Sequence, residues 1–186
     1  MLTEKDLILK CIKEDALAQK QLFKEYKNKL YSACLRYISN KEDAKDVLQD
    51  SFVKIFKNIS TFKATSSLET WMRRIVANTS IDFLRKKKKI NFFELDTNTI
   101  NTLENREDAD FEINSLFSKE QLYSSINLLP EELKIVLNLY YLDDFSHKEI
   151  AESLSIKEET SRTRLFRAKA MVKNNMTKLN QIKLTH

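Results

Sequence analysis

Apolar residues recur every three to four positions along most of the chain, which is the spacing expected of amphipathic helices. In the first half, this spacing predicts a short helix after a Thr3 cap, a second helix over residues 16–38 and a third over residues 41–58, capped by Asn40. In the second half, helical spacing returns near Ser118 and continues, with interruptions, to about residue 178. The sequence Leu-Pro-Glu-Glu at residues 129–132 predicts a helix start with Pro130 at its first position.

The stretch over residues 70–89, TWMRRIVANTSIDFLRKKKK, predicts a helix with two apolar stripes, one of Met72, Ile75, Val76 and Phe83 and the other of Ala77, Ile81 and Leu84. A narrow polar strip lies between them, made of Arg74, Asn78, Asp82 and Arg85. Such a helix is expected to pack between neighbours and to expose only its strip. Because Arg and Asn can pair with base edges and the basic run at residues 85–89, including Lys86, attracts phosphate, this is a candidate nucleic-acid surface. A core helix with a solvated charged end is the alternative.

The predicted third helix has two different faces. Its inner face comprises Ala44, Val47, Leu48, Ser51 and Ile55. Its opposite face is polar and acidic around one apolar residue, and it comprises Asp46, Gln49, Asp50 and Val53. Two interpretations remain open for this face: a solvated surface with an incidental valine, or a docking face for a basic protein surface with Val53 at its centre.

The loop over residues 60–67, STFKATSS, connects the third helix to the two-striped helix. It places an aromatic residue, a base and several hydroxyls beside the polar strip, including Phe62, Lys63 and Ser66. Such a loop is suited to holding an unstacked base. Phe62 is equally consistent with a loop anchor packed on the core.

The C-terminal part carries two helix-start signals around a tight turn. Ser146 and Glu149 form a capping box, and Ser155 with Glu158 predicts a second box before a basic helix over residues 157–178. The inner face of that helix comprises Ser161, Leu165, Ala168 and Val172, and its outer face comprises Arg162, Thr163, Phe166 and Lys169, with Arg167 alongside. This pattern predicts a helix-turn-helix whose second helix reads DNA, whereas a helical hairpin with a solvated basic face is the alternative.

Composition narrows the possible fold classes and kinds of function. The chain of 186 residues has no glycine and one proline, which disfavours a many-turned β architecture and predicts an all-α fold. Positions that need a positive φ are therefore expected to use Asn, Asp or Ser. Two cysteines and two histidines offer too little for a metal site or a catalytic triad, so we expect reduced core cysteines, no catalytic residues, no metal and no cofactor. With no membrane-length apolar run and acids near the N-terminus, we expect a cytoplasmic, non-enzymatic protein without membrane insertion.

Charge is unevenly distributed along the chain, although its net value is only +5. Between residues 94 and 112 there are seven acids and one base, and residues 157–186 are strongly basic. The expected organisation is a first helical domain over residues 1–89, an acidic flexible linker over residues 90–117 and a second helical domain over residues 118–186.

The order of these features resembles the sigma-70 family of bacterial transcription initiation factors, and more closely its compact extracytoplasmic-function (ECF) group. The matching segments are DAKDVLQDSFVKIF, TFKATSSLETWMRRIVANTSIDFLRKKKK and LPEELKIVLNLYYLDDFSHKEIAESLSIKEETSRTRLFRAKAMV. The resemblance implies a sigma2-like bundle and a sigma4-like helix-turn-helix domain. It also implies that the chain binds core RNA polymerase, through the β′ clamp helices and the β flap, and promoter DNA. An anti-sigma factor is a further implied partner.

The resemblance also implies roles by position. The face of Asp46, Gln49, Asp50 and Val53 corresponds to the surface that grips the β′ clamp helices. The residues that correspond to the family's −10 contact surface are Phe62, Lys63, Ser66, Arg74, Asn78, Asp82, Arg85 and Lys86. Those that correspond to its −35 contact surface are Lys157, Thr160, Arg162, Thr163, Phe166 and Arg167.

Three positions depart from the family pattern, because Asp144, Ser155 and Glu159 stand where the family commonly has Gly. A competing hypothesis is a stand-alone helix-turn-helix regulator with an N-terminal dimerisation or sensing domain. That hypothesis leaves the second basic surface, from Asn78 to the end of the basic run, and the acidic face without a role.

Overall fold

The computed structural model describes residues 3–88 and 118–184, with side chains at most of these positions. Within those ranges the chain is all-α, as predicted, and contains no strand. The first range holds α1 (Glu4–Ile12), α2 (Ala16–Tyr37), α3 (Lys41–Asn58), a 3-10 turn (Ile59–Thr61) and α4 (Leu68–Lys88). The second holds α5 (Lys119–Asn127), α6 (Glu131–Tyr141), α7 (His147–Leu154) and α8 (Glu158–Leu184). The predicted acidic linker over residues 90–117 lies outside the described residues, so its conformation stays a prediction.

The chain forms two compact units, divided between residues 90 and 91. In the first unit, α2, α3 and α4 each pack against the other two, and α1 packs on α2. Both predicted stripes of α4 face this core, since Met72, Val76, Ala77, Ile81 and Leu84 are buried. Ile75 and Phe83, also predicted on a stripe, are only partly buried. The polar strip therefore occupies the face of α4 that its neighbours leave open.

In the second unit, α8 packs against α5, α6 and α7. Its predicted inner face is confirmed, because Ser161, Leu165, Ala168 and Val172 are all buried. The outer residues consequently point away from this core, at the positions predicted from the spacing.

Several helix ends differ from the predictions for local reasons. Helix α4 begins at Leu68 rather than at residue 70, since Ser67 caps it by accepting a hydrogen bond at Oγ from the Thr70 amide, at 3.0 Å. Pro130 is the N-cap of α6 and not its first residue; its carbonyl accepts from the Leu133 and Lys134 amides. The predicted second capping box is wrong, because Ser155 is the C-cap of α7 and has a left-handed backbone conformation. Helix α8 ends at Leu184, beyond the predicted end at about residue 178.

Within residues 3–88 and 118–184, four residues have positive φ: Glu14, Ala64, Asp144 and Ser155. Asp144 and Ser155 are two of the three positions where glycine was expected from the family pattern. Glu159 is different, because it lies in the first turn of α8. The expectation that only Asn, Asp or Ser would take such conformations is wrong for Glu14 and Ala64, where surface turns follow α1 and the 3-10 turn.

Candidate functional site

The acidic face of α3 is an open surface. Asp46, Gln49 and Asp50 are exposed, and Val53 keeps 51% of its area accessible to solvent. On the opposite side, Ala44, Val47, Ser51 and Ile55 are buried as predicted, and Leu48 is partly buried. The helix thus presents carboxylates around an exposed apolar side chain, an arrangement suited to a partner that is basic and apolar at its centre.

An aromatic groove that the sequence reasoning missed lies beside this face. Phe23 of α2 packs against Phe52 with ring centroids 4.6 Å apart, and Phe52 lies 5.9 Å from Phe56. The groove has a volume of about 380 Å³ and is lined by Phe23, Lys45, Leu48, Gln49, Phe52, Val53 and Phe56. The spacing of Phe52 and Phe56 was the available signal, but only the fold brings Phe23 to them. Two lining residues, Gln49 and Val53, also belong to the acidic face, so the face and the groove form a continuous surface.

The polar strip of α4 is accessible along its length. Asn78 and Lys86 are exposed, whereas Arg74, Asp82 and Arg85 are partly exposed. The strip therefore offers amide and guanidinium donors and one carboxylate acceptor.

Ion pairs between helices modify the charge of this strip. Lys54 Nζ of α3 donates to Asp82 Oδ2 at 3.2 Å, and Arg85 Nη1 lies 4.0 Å from Asp82 Oδ1. Farther along α4, Lys87 binds both carboxylate oxygens of Asp43, at 2.6 and 2.5 Å. The pairs of Lys54 with Asp82 and of Lys87 with Asp43 join residues 28 and 44 positions apart, so the pattern of α4 alone could not reveal them.

The loop before α4 anchors one predicted site residue and exposes two others. The Phe62 ring is partly buried and packs against Trp71, with centroids 5.6 Å apart. This contact is what the loop-anchor interpretation requires, and it leaves part of the ring accessible. Lys63 and Ser66 are exposed on either side of Ala64, whose positive φ reverses the chain.

The second unit contains the predicted helix-turn-helix, built from α7, the turn at Ser155 and α8. Ser146 forms the predicted capping box with Glu149 at the start of α7. The next residue, His147, is buried, and its Nδ1 lies 2.9 Å from Ser161 Oγ on α8. Its ring also stacks on Tyr140 of α6, with centroids 4.8 Å apart. One imidazole thereby links three helices and fixes how α8 emerges from the turn.

The outer face of α8 carries the predicted reading residues. Lys157, Arg162 and Thr163 are exposed, whereas Thr160, Phe166 and Arg167 are partly buried. Arg162 Nη2 donates to Glu158 Oε1 at 2.7 Å, within the same helix. Arg164 lies among them in the sequence but is buried, with 2% of its area exposed, and the unit also buries Asp143. Sequence reasoning missed both buried charges.

The two cysteines are buried thiols outside any disulfide. Burial raises the pKa of the Cys34 thiol to about 12, and burial together with Asp15 raises the pKa of Cys11. Both therefore stay protonated at neutral pH, whereas a nucleophile or metal ligand must be a thiolate. Among the described residues, His, Cys, Asp and Glu form no cluster that could hold a metal ion. None of the helices described here is both long and apolar enough to span a bilayer.

Each of the two units matches a family model from known proteins. The family model for sigma-70 region 2 matches residues 22–90, and the model for sigma-70 region 4 matches residues 119–172. The chain is 31% identical over 185 residues to the ECF RNA polymerase sigma-E factor of Haemophilus influenzae, covering 96% of this chain and 97% of that protein. It is 29% identical to the RNA polymerase sigma factor SigV of Bacillus subtilis, covering 95% of each.

Among solved structures, the chain is similar to the sigma factor RpoE of Bartonella quintana, crystallised in complex with the anti-sigma factor NepR. The TM-score is 0.52 at 18% identity, covering 85% of this chain and 96% of that one. At this identity, the likeness concerns the fold alone.

Proposed function

The chain belongs to the ECF group of the sigma-70 family, and from this premise we propose how its surfaces divide the work of transcription initiation. A sigma factor binds core RNA polymerase and directs initiation at promoters, and this chain has that function. The observation that carries this conclusion is the presence of both sigma regions, in the family's order, within relatives that align along nearly the whole chain. A stand-alone helix-turn-helix regulator is not favoured, since it would not need the region 2 unit.

The acidic face of α3 is proposed to bind the β′ clamp helices of the polymerase. Its support is an exposed set of carboxylates around Val53, continuous with the aromatic groove. Apolar contact at the centre provides affinity, while the surrounding charges select a basic partner and orient it. The β flap is the proposed partner of the second unit.

The two basic surfaces are proposed to read different parts of the promoter. The strip of α4 and the loop with Phe62, Lys63 and Ser66 face a melted −10 strand, since an exposed amide and a partly exposed aromatic ring are suited to an unstacked base. The outer face of α8 reads the −35 duplex, as the second helix of a helix-turn-helix does in the major groove. An anti-sigma factor is a further proposed partner.

This work needs no chemistry from the chain, and family identity supports a non-enzymatic specificity subunit that acts where the polymerase acts, in the cytoplasm. Catalysis of RNA synthesis then belongs to the core polymerase.

Gel filtration with core polymerase in the absence of DNA tests the docking face. The wild-type chain should co-elute with the polymerase. Asp50→Lys should weaken the complex by about 2–5 kcal/mol, because it places a cation against a basic surface. Glu25→Lys is the matched control, because it reverses an exposed carboxylate on a different helix, α2. This variant should co-elute normally.

Asp50 is exposed, so the folded state should survive its reversal, and circular dichroism checks this. Unchanged polymerase affinity for Asp50→Lys would remove the docking assignment. Failure of the wild-type chain to co-elute would remove the proposed function as a whole.

A further inference from the structure

Lys54 is a cation that no sequence pattern assigned to DNA. It lies on α3, one turn after Asp50, yet its ammonium group reaches across to α4 and contacts the polar strip at Asp82. About 44% of the Lys54 side chain and 49% of the Asp82 side chain are exposed, so both groups are accessible from solvent.

Asp82 faces a cation with each of its oxygens. Lys54 Nζ lies 3.2 Å from Oδ2, and Arg85 Nη1 lies 4.0 Å from Oδ1. A carboxylate placed between two cations resembles a backbone phosphate in charge and in hydrogen-bond acceptors. The strip thus carries an internal anion where a nucleic-acid strand would otherwise find two donors.

The contact between Lys54 and Asp82 is of the kind that exchanges. Exposed ion pairs are worth only about 0–1 kcal/mol, since water and salt screen them. The Lys87–Asp43 pair between the same two helices differs, because both oxygens of a mostly buried Asp43 bind the ammonium group. The Lys54–Asp82 pair in the strip is therefore the longer contact, made to one oxygen of a more exposed carboxylate.

Resting on the −10 role proposed above, we propose that Lys54 is a phosphate-binding residue of this surface and that Asp82 occupies it, together with Arg85, until a DNA strand displaces the carboxylate. In the DNA-free protein, Asp82 lowers the affinity of the strip for any single strand. When a strand binds, its phosphates take over Lys54 and Arg85, and the Asp82 carboxylate is released towards the bases, where it can accept a hydrogen bond from an exocyclic amine.

A double-mutant cycle on the full chain tests this inference. The measurement is fluorescence anisotropy of a short labelled single-stranded oligonucleotide of random sequence, at low salt, where phosphate contacts are strongest. Asp82→Asn should raise affinity roughly two- to fivefold, in keeping with the strength of an exposed ion pair. Lys54→Gln should lower affinity and make the slope of log K against log salt shallower by about 0.7, the loss of one phosphate contact on a single strand.

The coupling between the two positions is the decisive quantity. If Lys54 passes from Asp82 to DNA, the gain from Asp82→Asn should be clearly smaller in the Lys54→Gln background. Glu69→Gln is the matched control: it also removes one negative charge from α4 and breaks an interhelical pair, with Lys29 at 2.6 Å. It lies about 20 Å from Asp82 along the helix, so any effect it has should be independent of Lys54.

Each outcome can be attributed. An equal gain from Asp82→Asn in both backgrounds, or a loss of affinity, contradicts the inference. If Asn78→Ala and Arg74→Ala weaken binding while the cycle shows no coupling, the −10 surface stands and the inference alone fails. If neither weakens binding, the −10 surface itself is wrong. Absence of binding by Asp82→Asn also contradicts the inference, since Lys54 should still contact the phosphates of a strand at low salt.

Discussion

The two candidate DNA surfaces obtain their charge in different ways. On α4, the cations near the strip pair with acids that the fold brings to them: Lys54 of α3 contacts Asp82, and Asp43 of α3 holds Lys87. On α8, the ion pair observed on the outer face is local, between Glu158 and Arg162 of the same helix. The Arg162 pair is thus encoded within α8, whereas two ion pairs of α4 depend on residues of α3.

This difference has a functional consequence. A surface whose charges are set by an adjacent helix is sensitive to what happens on that helix, and α3 is also the helix proposed to dock on the polymerase. A surface with local charges responds mainly to the DNA it meets. The comparison thus favours a −10 surface whose charge responds to changes on α3.

The largest expected effect is on the free energy of unfolding. Because the two units have separate cores, a core substitution should destabilise one unit and leave the other folded. Ile81 of α4 and Ile150 of α7 are both buried, so Ile81→Ala and Ile150→Ala should each cost about 2–5 kcal/mol of unfolding free energy in their own unit. The chain has one tryptophan, Trp71 of α4, so its fluorescence during urea unfolding reports on the first unit. Only Ile81→Ala should shift that transition, while circular dichroism should detect both variants.

A shift of the Trp71 transition by Ile150→Ala as large as that by Ile81→Ala would show that the units unfold together. The independent treatment of the two surfaces would then be wrong.

Removing the buried imidazole of His147 should have a smaller effect on the free energy of unfolding than either core substitution. His147→Phe keeps an aromatic ring against Tyr140 but removes the partner of Ser161 Oγ. Leaving a buried hydroxyl unsatisfied should cost about 1–3 kcal/mol, measured by urea unfolding followed by circular dichroism. The matched test is to add Ser161→Ala, which removes the second partner and should restore part of the loss. A double variant less stable than His147→Phe would contradict the role given to this hydrogen bond.

The smallest expected change in stability comes from replacing a residue that has a left-handed backbone conformation. Ser155 has φ of 55°, a region that costs a residue with a Cβ about 1–2 kcal/mol, so Ser155→Gly should stabilise the second unit by roughly 0.5–1 kcal/mol after the entropy of glycine is counted. Glu159→Gly is the control at another family glycine position. Because Glu159 is helical, that change should destabilise by about 0.5–1 kcal/mol. Thermal unfolding distinguishes the two signs, and stabilisation by Glu159→Gly would contradict the assignment.

Sequence patterns predicted the helices and their buried faces well, since periodic burial is a local property. The third helix was predicted with the bounds observed for α3, and the two stripes of α4 were read from spacing alone. What could not be predicted depends on distant residues. The contact of Phe23 with Phe52, the pairing of Lys54 with Asp82 and the burial of Arg164 each require the tertiary fold. Arg164 lies three positions after Ser161 and four before Ala168, at the edge of the inner face, but its charge predicted exposure. A lysine on α3 gives no local sign that it will reach α4.

A paired measurement on the reconstituted holoenzyme tests most directly whether the α4 and α8 surfaces read different parts of the promoter. Arg162→Ala should lower −35 discrimination at one base pair by about 1–3 kcal/mol in duplex binding. Asn78→Ala should leave −35 duplex binding intact but reduce the permanganate reactivity of −10 thymines, which reports strand opening. If the two variants instead lose duplex binding equally and show the same opening at saturating DNA, the two surfaces do not act separately and the account is contradicted.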